Sequence, residues 1–189
     1  MAGKVFIVSA PSGAGKSTLV KAMLAQFEDF VFSISATTRS PRAYETEGVH
    51  YYFLSLSDFL QKRKAGAFVE SEEVYPGRWY GTLASEVDRI LVEGKMPIFD
   101  VDVEGGLNIK QQYREQAVAF FIQPPRPEIL LERLQNRGSD DMVEIQKRYA
   151  KAKLELSYAP KFDHIIVNDD LQIAIDEMAE IIRRELSNQ

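Results

Sequence analysis

The chain has 189 residues, of which 45% are hydrophobic and 27% charged, and this size and composition fit one folded domain. It contains no cysteine, which excludes disulfides, thiolate metal sites and a cysteine nucleophile. The formal net charge of −5 disfavours a nucleic-acid partner. No apolar run approaches a signal peptide core or the roughly 20 residues of a membrane span, so we expect a cytoplasmic protein with no membrane partner.

The first predicted unit is a strand, a loop and a helix. Residues 4–9 are centred on the apolar run Val5-Phe6-Ile7-Val8, which is rich in β-branched side chains and predicts a buried strand. Helical spacing runs from Thr18 to Leu24 after a glycine-containing turn. Three later segments have the same buried-strand character: Met96–Val101, residues 117–122 and His164–Val167. Strands that alternate with helices predict an α/β fold, with a mostly parallel sheet flanked by helices on both faces.

Two stretches interrupt this alternation. Residues 31–82 contain short predicted strands and one predicted helix near residues 57–64, and we interpret them as an inserted mixed α+β lobe. The predicted strands of this stretch are 31–35, 51–54, 68–74 and 79–82. Residues 126–157 contain two amphipathic helical segments around a polar turn, and we interpret them as a helical lid.

The last predicted helix, residues 171–186, carries an apolar stripe that should dock on the sheet. The stripe consists of Ile175, Met178, Ala179 and Ile182. We therefore divide the one domain into core segments 1–34, 83–125 and 158–189, a lobe at 35–82 and a lid at 126–157.

A phosphate-binding loop follows the first strand and opens the first helix. Its glycines let successive N–H groups point at an anion, and the helix N-terminus adds partial positive charge. Lys16 is expected to reach the β- and γ-phosphates of a nucleoside triphosphate, and the Ser17 hydroxyl to hold Mg²⁺. A glycine-rich turn that merely starts a helix is the alternative. Ala10 replaces the first glycine of the G-x-x-x-x-G-K-[ST] pattern. The predicted triphosphate-binding residues of this loop are Ala10, Pro11, Ser12, Gly13, Ala14, Gly15, Lys16, Ser17 and Thr18.

Residues 37–54 resemble the guanylate kinase signature along their whole length. The resemblance covers essentially the entire chain, and it extends to the phosphate loop and to residues 68–70, 80–82, 100–102, 133–138 and 166–170. It implies a P-loop NTPase-type fold and an Mg²⁺-dependent kinase that transfers the γ-phosphate of ATP to GMP and dGMP, in purine nucleotide metabolism and GMP recycling. Tyr44 and Glu104 depart from the family, which often has glycine and glutamine at these positions.

A cationic clamp is what a negatively charged protein needs in order to hold a nucleoside monophosphate. Arg39 and Arg42 lie three residues apart around Pro41, and planar guanidinium groups bind phosphate in bidentate fashion. Tyr51 and Tyr80 can add hydroxyl donors, and the family's acceptor site uses residues that match these four. The alternative is that the arginines are solvated surface charge and the tyrosines are core residues.

Guanine presents N1–H and a 2-amino group as donors and O6 as an acceptor, so a selective site needs a carboxylate and hydroxyl donors. The residues that match the family's base-reading positions are Ser35, Glu70, Thr82 and Asp102. Adenine would turn its acceptor N1 toward a carboxylate, at a cost on the order of 1–3 kcal/mol. The alternatives are a helix N-cap for Asp102 and a solvent-facing strand position for Glu70.

Further cations lie in the predicted lid, where two repelling phosphate groups would have to meet. Residues that match Arg137 and Arg148 line the transferring phosphoryl group in the family, and Arg133 and Arg137 are expected to contact ATP. Arg133 and Arg148 could instead pair on the surface with Glu132 or Glu144. The resemblance implies a catalytic set of Lys16, Arg39, Arg137 and Arg148.

Two residues at strand ends receive supporting roles. Asp100 is expected to hold a water of the Mg²⁺ shell, and Asn168 to touch the adenosine of ATP. No general base is assigned, because the attacking oxygen of GMP's phosphate is already ionised at neutral pH.

Two other functions are alternatives to this one. A different small P-loop kinase would lack the base-reading set, and a guanylate-kinase-like interaction module would lack an intact phosphate loop. Closure of the lobe and lid over both substrates is expected to gate turnover. Nothing in the sequence indicates an oligomeric state.

Overall fold

The computed structural model describes residues 3–136 and 142–187. Nine strands and seven α-helices lie in that part of the chain. The strands are β1 Val5–Ser9, β2 Phe30–Phe32, β3 Ala36–Thr37, β4 Tyr52–Phe53, β5 Phe68–Tyr75, β6 Arg78–Leu83, β7 Met96–Val101, β8 Ala117–Gln123 and β9 His164–Val167. The helices are α1 Lys16–Gln26, α2 Leu56–Lys64, α3 Ala84–Val92, α4 Val103–Tyr113, α5 Pro127–Asn136, α6 Met142–Leu156 and α7 Leu171–Ser187.

The main sheet has five strands in the order β2-β7-β1-β8-β9, and every pairing in it is parallel. Its central strand β1 is buried at all five positions. Phe6 and Val8 face a core that α1 and α7 cover, whereas Val5 and Ile7 face a second core on the other side of the sheet. Helices on both faces explain why this strand is apolar throughout instead of alternating. The predicted α/β class is confirmed.

The last helix docks as its apolar stripe predicts. Met178, Ala179 and Ile182 are buried in the core shared with α1, and Ile175 packs against that core from its edge. An ion pair links the end of α7 to the residue before β1, because Lys4 Nζ lies 2.8 Å from a carboxylate oxygen of Glu185. The C-terminal helix therefore closes one face of the main sheet.

The second sheet is mixed and has the order β4-β3-β6-β5. Strands β5 and β6 form an antiparallel hairpin, β3 pairs antiparallel with β6, and β4 pairs parallel with β3. Gly81 lies in β6 where a Cβ atom would come within 2.7 Å of the Glu70 carbonyl oxygen. This close approach requires glycine and holds the two strands of the hairpin together.

One predicted strand of the insert belongs elsewhere. The strand predicted at residues 31–35 is not part of the inserted lobe: the strand observed there, β2, pairs with β7 at the edge of the main sheet, with Phe30 opposite Met96. The Phe30 ring also contacts the Phe6 ring at 4.6 Å between centroids. A local pattern cannot reveal this assignment because the partner strand lies more than 60 residues later.

The parallel arrangement places the carboxyl ends of the main strands at one edge of the sheet, where ligands bind in open α/β sheets. The loop after β1, the residues at the end of β7 and Asn168 after β9 all lie at that edge. In the described part of the chain no helix is both long and apolar enough to cross a membrane.

Candidate active site

The loop between β1 and α1 has the backbone of an anion cradle. Gly13 and Gly15 both adopt φ of 95°, a left-handed conformation that favours glycine. The N–H of Ala14 donates to the Pro11 carbonyl at 3.1 Å, which tightens the loop. Helix α1 begins at Lys16 after Gly15, which has no side chain to cap it, so the first N–H groups of the helix face the loop.

Asp100 at the end of β7 holds both functional side chains that follow the loop. The Lys16 ammonium group bonds one oxygen of its carboxylate, and the Ser17 hydroxyl donates to the other at 2.7 Å. Side chains from α1 and β7 are thereby joined at the sheet edge. A hydroxyl and a carboxylate are oxygen donors of the kind that Mg²⁺ prefers.

Asn168 lies beneath the loop. It is 5% exposed, and its Nδ2 donates to the Ala14 carbonyl at 2.7 Å. A Cβ atom at Gly15 would come within 2.3 Å of the same amide nitrogen. The observed contact of Asn168 is therefore with the loop, while its predicted contact with adenosine stays a prediction.

The two signature arginines are held by a carboxylate that sequence reasoning missed. Arg39 makes a bidentate pair with Glu45, with both N–O distances at 2.6 Å. Glu45 also accepts a hydrogen bond from the backbone N–H of Arg42 at 2.7 Å. The pair with Arg39 lowers the pKa of Glu45 to about 2. The Arg39 guanidinium lies 5.0 Å from the Tyr51 ring centroid. The cation is thus oriented beside one of the predicted tyrosines.

Tyr44, one of the departures from the family pattern, contacts the second arginine. Its hydroxyl accepts a hydrogen bond from Arg42 Nη1 at 3.0 Å, and this contact raises the pKa of Arg42. Tyr44 itself is 67% exposed. Tyr44, at a position where the family often has glycine, therefore supplies a hydrogen-bond acceptor for Arg42 on the exposed side of the clamp.

Glu70 and Thr82 form a buried pair at the other end of the site. Thr82 is fully buried and donates to Glu70 Oε1 at 2.8 Å. Burial raises the pKa of Glu70 to about 7 against the lowering effect of this hydrogen bond, and the charge of Asp102 raises it further. The solvent-facing alternative for Glu70 is wrong, because only 8% of the residue is exposed.

Asp102 has a structural contact and also faces the cleft. Its Oδ1 accepts the Gly105 N–H at 2.8 Å, so the N-cap interpretation is confirmed for α4. Glu72 lies two positions after Glu70 on the same face of β5, and sequence reasoning missed it. Burial, together with contacts to Glu104 and Asp102, raises the pKa of Glu72. The period-2 alternation of a strand would have found Glu72 once Glu70 was placed.

Helix α6 reaches the phosphate loop. Arg148 Nη2 donates to Ser12 Oγ at 2.6 Å. Lys151, one turn on from Arg148, lies 5.6 Å from the Tyr75 ring centroid on β5. The predicted lid thus contacts both the loop and the second sheet. Arg137 lies outside the described residues, and so do the side chains of Arg133 and Glu144.

One cleft of about 380 Å³ joins these parts. Arg39, Arg42, Thr82 and Asn168 do not line the cleft. Of the other residues predicted for the site, those that line the cleft are residues 10–18, Ser35, Tyr51, Glu70, Tyr80, Asp100, Asp102 and Arg148. Within the described ranges, no cluster of three or more His, Asp and Glu side chains could hold a metal by itself.

A phosphate-binding loop at the carboxyl edge of a parallel sheet, sharing one cleft with a buried carboxylate site, defines a phosphotransferase of the P-loop class. The guanylate kinase family model matches residues 2–185. The chain therefore belongs to the guanylate kinase family.

Individual relatives agree with this assignment. The guanylate kinase of Bacteroides fragilis is 50% identical over 183 residues, which cover 97% of this chain and 90% of that protein. The guanylate kinase of Porphyromonas gingivalis is 50% identical over 180 residues, or 95% of this chain and 96% of that protein. The crystal structure of guanylate kinase from Anaplasma phagocytophilum superposes with a TM-score of 0.78 at 29% identity, covering 97% of this chain and 86% of that chain.

Proposed function

We propose that the protein transfers the γ-phosphate of ATP to GMP, and to dGMP, giving ADP and GDP in purine nucleotide metabolism and GMP recycling. The observation that carries this proposal is the shared cleft, in which the phosphate loop and the Glu70 carboxylate are walls of one volume. Two substrates bound at these walls would meet end to end, phosphate against phosphate.

The acceptor half suits guanine and a phosphate. Glu70 is buried and hydrogen-bonded to Thr82, so it can accept donors from a base, and Asp102 adds a second acceptor beside it. Arg39, oriented by Glu45, and Arg42 would bind the phosphate together with the hydroxyls of Tyr51 and Tyr80. Ser35 would complete the contacts to the base.

The donor half suits a triphosphate. The N–H groups of residues 10–18 would cradle the phosphates, with Lys16 leaving Asp100 to reach the β- and γ-phosphates. Arg133 and Arg137 would contact ATP from the lid. Asn168, beneath the loop, would keep the cradle in shape.

We propose that Mg²⁺ binds beside Ser17, with Asp100 holding one of its waters. The oxygen donors of these two side chains are 2.7 Å apart at the cleft, which fits a small oxygen-seeking cation that keeps several waters. When bound, Mg²⁺ would neutralise charge on the phosphates.

Transfer needs cations between two phosphates and no proton acceptor. Lys16 and Arg148 both line the cleft, and Arg148 bonds Ser12 of the phosphate loop. Arg39 would supply a further cation at the acceptor end. Together with Arg137 they would offset the charge that develops on the transferring group. Substrates and Mg²⁺ are the partners that this arrangement requires, and the cytoplasmic location stays a prediction.

The test is ADP release with ATP and Mg²⁺ and each of GMP, AMP, CMP and UMP as acceptor. We expect turnover with GMP and dGMP, and loss of at least about 10³-fold in Lys16→Ala, because a transition-state cation is removed. Lys21→Ala is the matched control, since Lys21 is an exposed lysine of the same helix. Preference for another monophosphate would overturn the proposed acceptor.

A further inference from the structure

Glu86 is a buried carboxylate that does not line the cleft. It lies in the first turn of α3, and 3% of its side chain is exposed. A buried charge is costly unless it is paired and hydrogen-bonded. Its partners therefore indicate why a carboxylate is present there.

Each oxygen of this carboxylate accepts two hydrogen bonds. Oε1 accepts the backbone N–H of Ile34 at 3.3 Å and Arg89 Nη2 at 3.0 Å. Oε2 accepts the Tyr52 hydroxyl at 3.0 Å and Arg89 Nε at 3.2 Å. Arg89 balances the charge, which leaves one bond from each oxygen directed to another segment of the chain.

These two segments and Glu86 itself lie where the chain passes between the sheets. Ile34 is in the connection that leaves β2 of the main sheet for β3 of the second sheet. Glu86 is in the helix that begins directly after β6 and returns the chain to β7. One carboxylate thus joins the outgoing crossing, the returning crossing and strand β4, which carries Tyr52.

Each joined segment is adjacent in sequence to a residue of the acceptor half. Ile34 precedes Ser35, Tyr52 follows Tyr51, and α3 follows the strand that contains Tyr80. The Tyr52 N–H also donates to the Ser35 carbonyl at 2.9 Å, so these segments hold one another. A shift at Glu86 would therefore move several acceptor contacts together.

We infer that Glu86 is a positioning residue for the acceptor half, fixing the second sheet to the main sheet from outside the cleft. The inference rests on the proposed function for what is bound there. It acts through the backbone at Ile34 and through Tyr52, and it leaves the phosphate loop and Asp100 untouched. Glu86 thereby sets affinity for the monophosphate and not for the triphosphate.

Two variants that disturb the contacts of Glu86 to different extents test this inference. Glu86→Gln keeps the shape but removes the charge and leaves one oxygen as acceptor, while Tyr52→Phe removes one donor and keeps the ion pair with Arg89. Glu93→Gln is the matched control, because Glu93 is the C-cap residue of α3 and pairs with the same Arg89 at 3.2 Å.

We expect the KM and Kd for GMP to rise about tenfold in Glu86→Gln and about threefold in Tyr52→Phe, a size typical of coupling between sites. The Kd of a non-hydrolysable ATP analogue should stay within about twofold in both, and all values should be unchanged in Glu93→Gln. Calorimetry supplies the Kd values and steady-state rates supply KM. If Glu86→Gln does not fold, the Kd values of Tyr52→Phe for GMP and for the ATP analogue decide the inference.

Hydrogen exchange supplies a readout that needs no substrate. Amides of residues 34–37 and 51–53 should exchange faster in Glu86→Gln, whereas those of β1 and β8 should not change. Wild-type failure to phosphorylate GMP would overturn the proposed function, and the exchange pattern would still test the tie between the sheets. Equal loss of GMP and ATP affinity, or exchange and GMP affinity like those of the wild type, would overturn the inference.

Discussion

Glu70 and Thr82 illustrate how a base-reading position is prepared before its ligand arrives. Thr82 fixes one carboxylate oxygen at 2.8 Å, and burial keeps water from the other side of the group. The carboxylate is therefore preorganised, but its charge is destabilised by burial, with a pKa of about 7. Guanine donors would supply the hydrogen bonds that stabilise the charged form.

Binding of GMP should consequently depend on the protonation of Glu70. Guanine donors need the ionised carboxylate, so the Kd for GMP should rise as pH falls from 8 through 7 to 6, up to about tenfold per pH unit below the pKa. Calorimetric titrations over that range check this. Glu70→Gln should bind GMP weakly, and its Kd for GMP should depend less on pH. The ionisation of GMP's own phosphate affects the variant and the wild type alike, so the variant is the control for it. Parallel profiles would contradict the assignment.

The same pKa shift has a consequence for folding with a definite sign. A carboxyl whose pKa is raised in the folded state contributes stability below its unfolded pKa, about 4.3, and loses that contribution as pH rises through about 7. Glu70→Gln should therefore raise the Tm at pH 8 relative to wild type by more than at pH 4. Thermal unfolding followed by circular dichroism measures both, and a smaller difference at pH 8 than at pH 4 would contradict this.

Asn168 allows a contact with the loop to be separated from a contact with adenosine. In Asn168→Ala the hydrogen bond to the Ala14 carbonyl is lost, and we expect triphosphate affinity to fall about tenfold, from one buried hydrogen bond and a loosened loop. The loss should be equal for ATP, GTP and tripolyphosphate if the loop is what Asn168 supports. A loss confined to ATP would instead indicate recognition of adenosine. Competition binding measures all three.

At the scale of elements, the sequence predicts best where structure is local. Strand β1, the phosphate loop and helix α1 follow from burial and glycine spacing at consecutive positions. The sequence pattern groups strand β2 with the inserted lobe, whereas it pairs with β7 of the main sheet, a long-range contact that no local pattern reveals. Strand β3 has two residues, too few for any periodicity. The roles of Glu45 and Glu86 could not be predicted, because the sequence does not reveal which groups an acidic side chain bonds in the folded protein.

Helix α4 illustrates an element whose position depends on one missing methyl group. A Cβ atom at Gly106 would lie 2.2 Å from Ser9 Oγ and 3.3 Å from Ile7 Cγ2. The hydroxyl of Ser9 also donates to the Asp102 carbonyl at 3.1 Å, so α4 sits directly on β1. Asp102 caps the same helix. The packing of α4 on β1 therefore also fixes the position of Asp102, a residue of the proposed acceptor half.

Gly106→Ala should destabilise the fold by about 2–3 kcal/mol despite the better helix propensity of alanine, because α4 must move off β1. Urea unfolding measures the change. The added variant Ser9→Ala in the Gly106→Ala background should restore part of the stability, since it removes the closest clashing atom. Additive losses in the double variant would show that the clash is not the cause.

At the scale of the whole molecule, the cleft is bounded by the phosphate loop, the second sheet and helix α6. Arg148 bonds Ser12 between α6 and the phosphate loop, and Lys151 lies over Tyr75 between α6 and β5. We expect the second sheet and α6 to move over the core when both substrates bind.

Closure can be followed directly because the chain has no cysteine of its own. Spin labels at Lys62→Cys on α2 and Glu177→Cys on α7, both exposed positions, should move closer when a bisubstrate analogue binds. The control pair Val92→Cys and Glu177→Cys reports on the core and should keep its distance. An unchanged Lys62–Glu177 distance distribution would contradict gating by closure.

The antiparallel pairing of Ala36 with Gly81 brings the start and the end of the second sheet side by side. An inserted stretch whose two ends are neighbours can be exchanged as a cassette without stretching its host, as in natural and engineered domain insertions. The second sheet can thus vary in sequence and length with little strain on the main sheet. A new acceptor specificity would require changes in this inserted stretch together with Asp102, which caps α4 outside it, while the phosphate loop could stay unchanged.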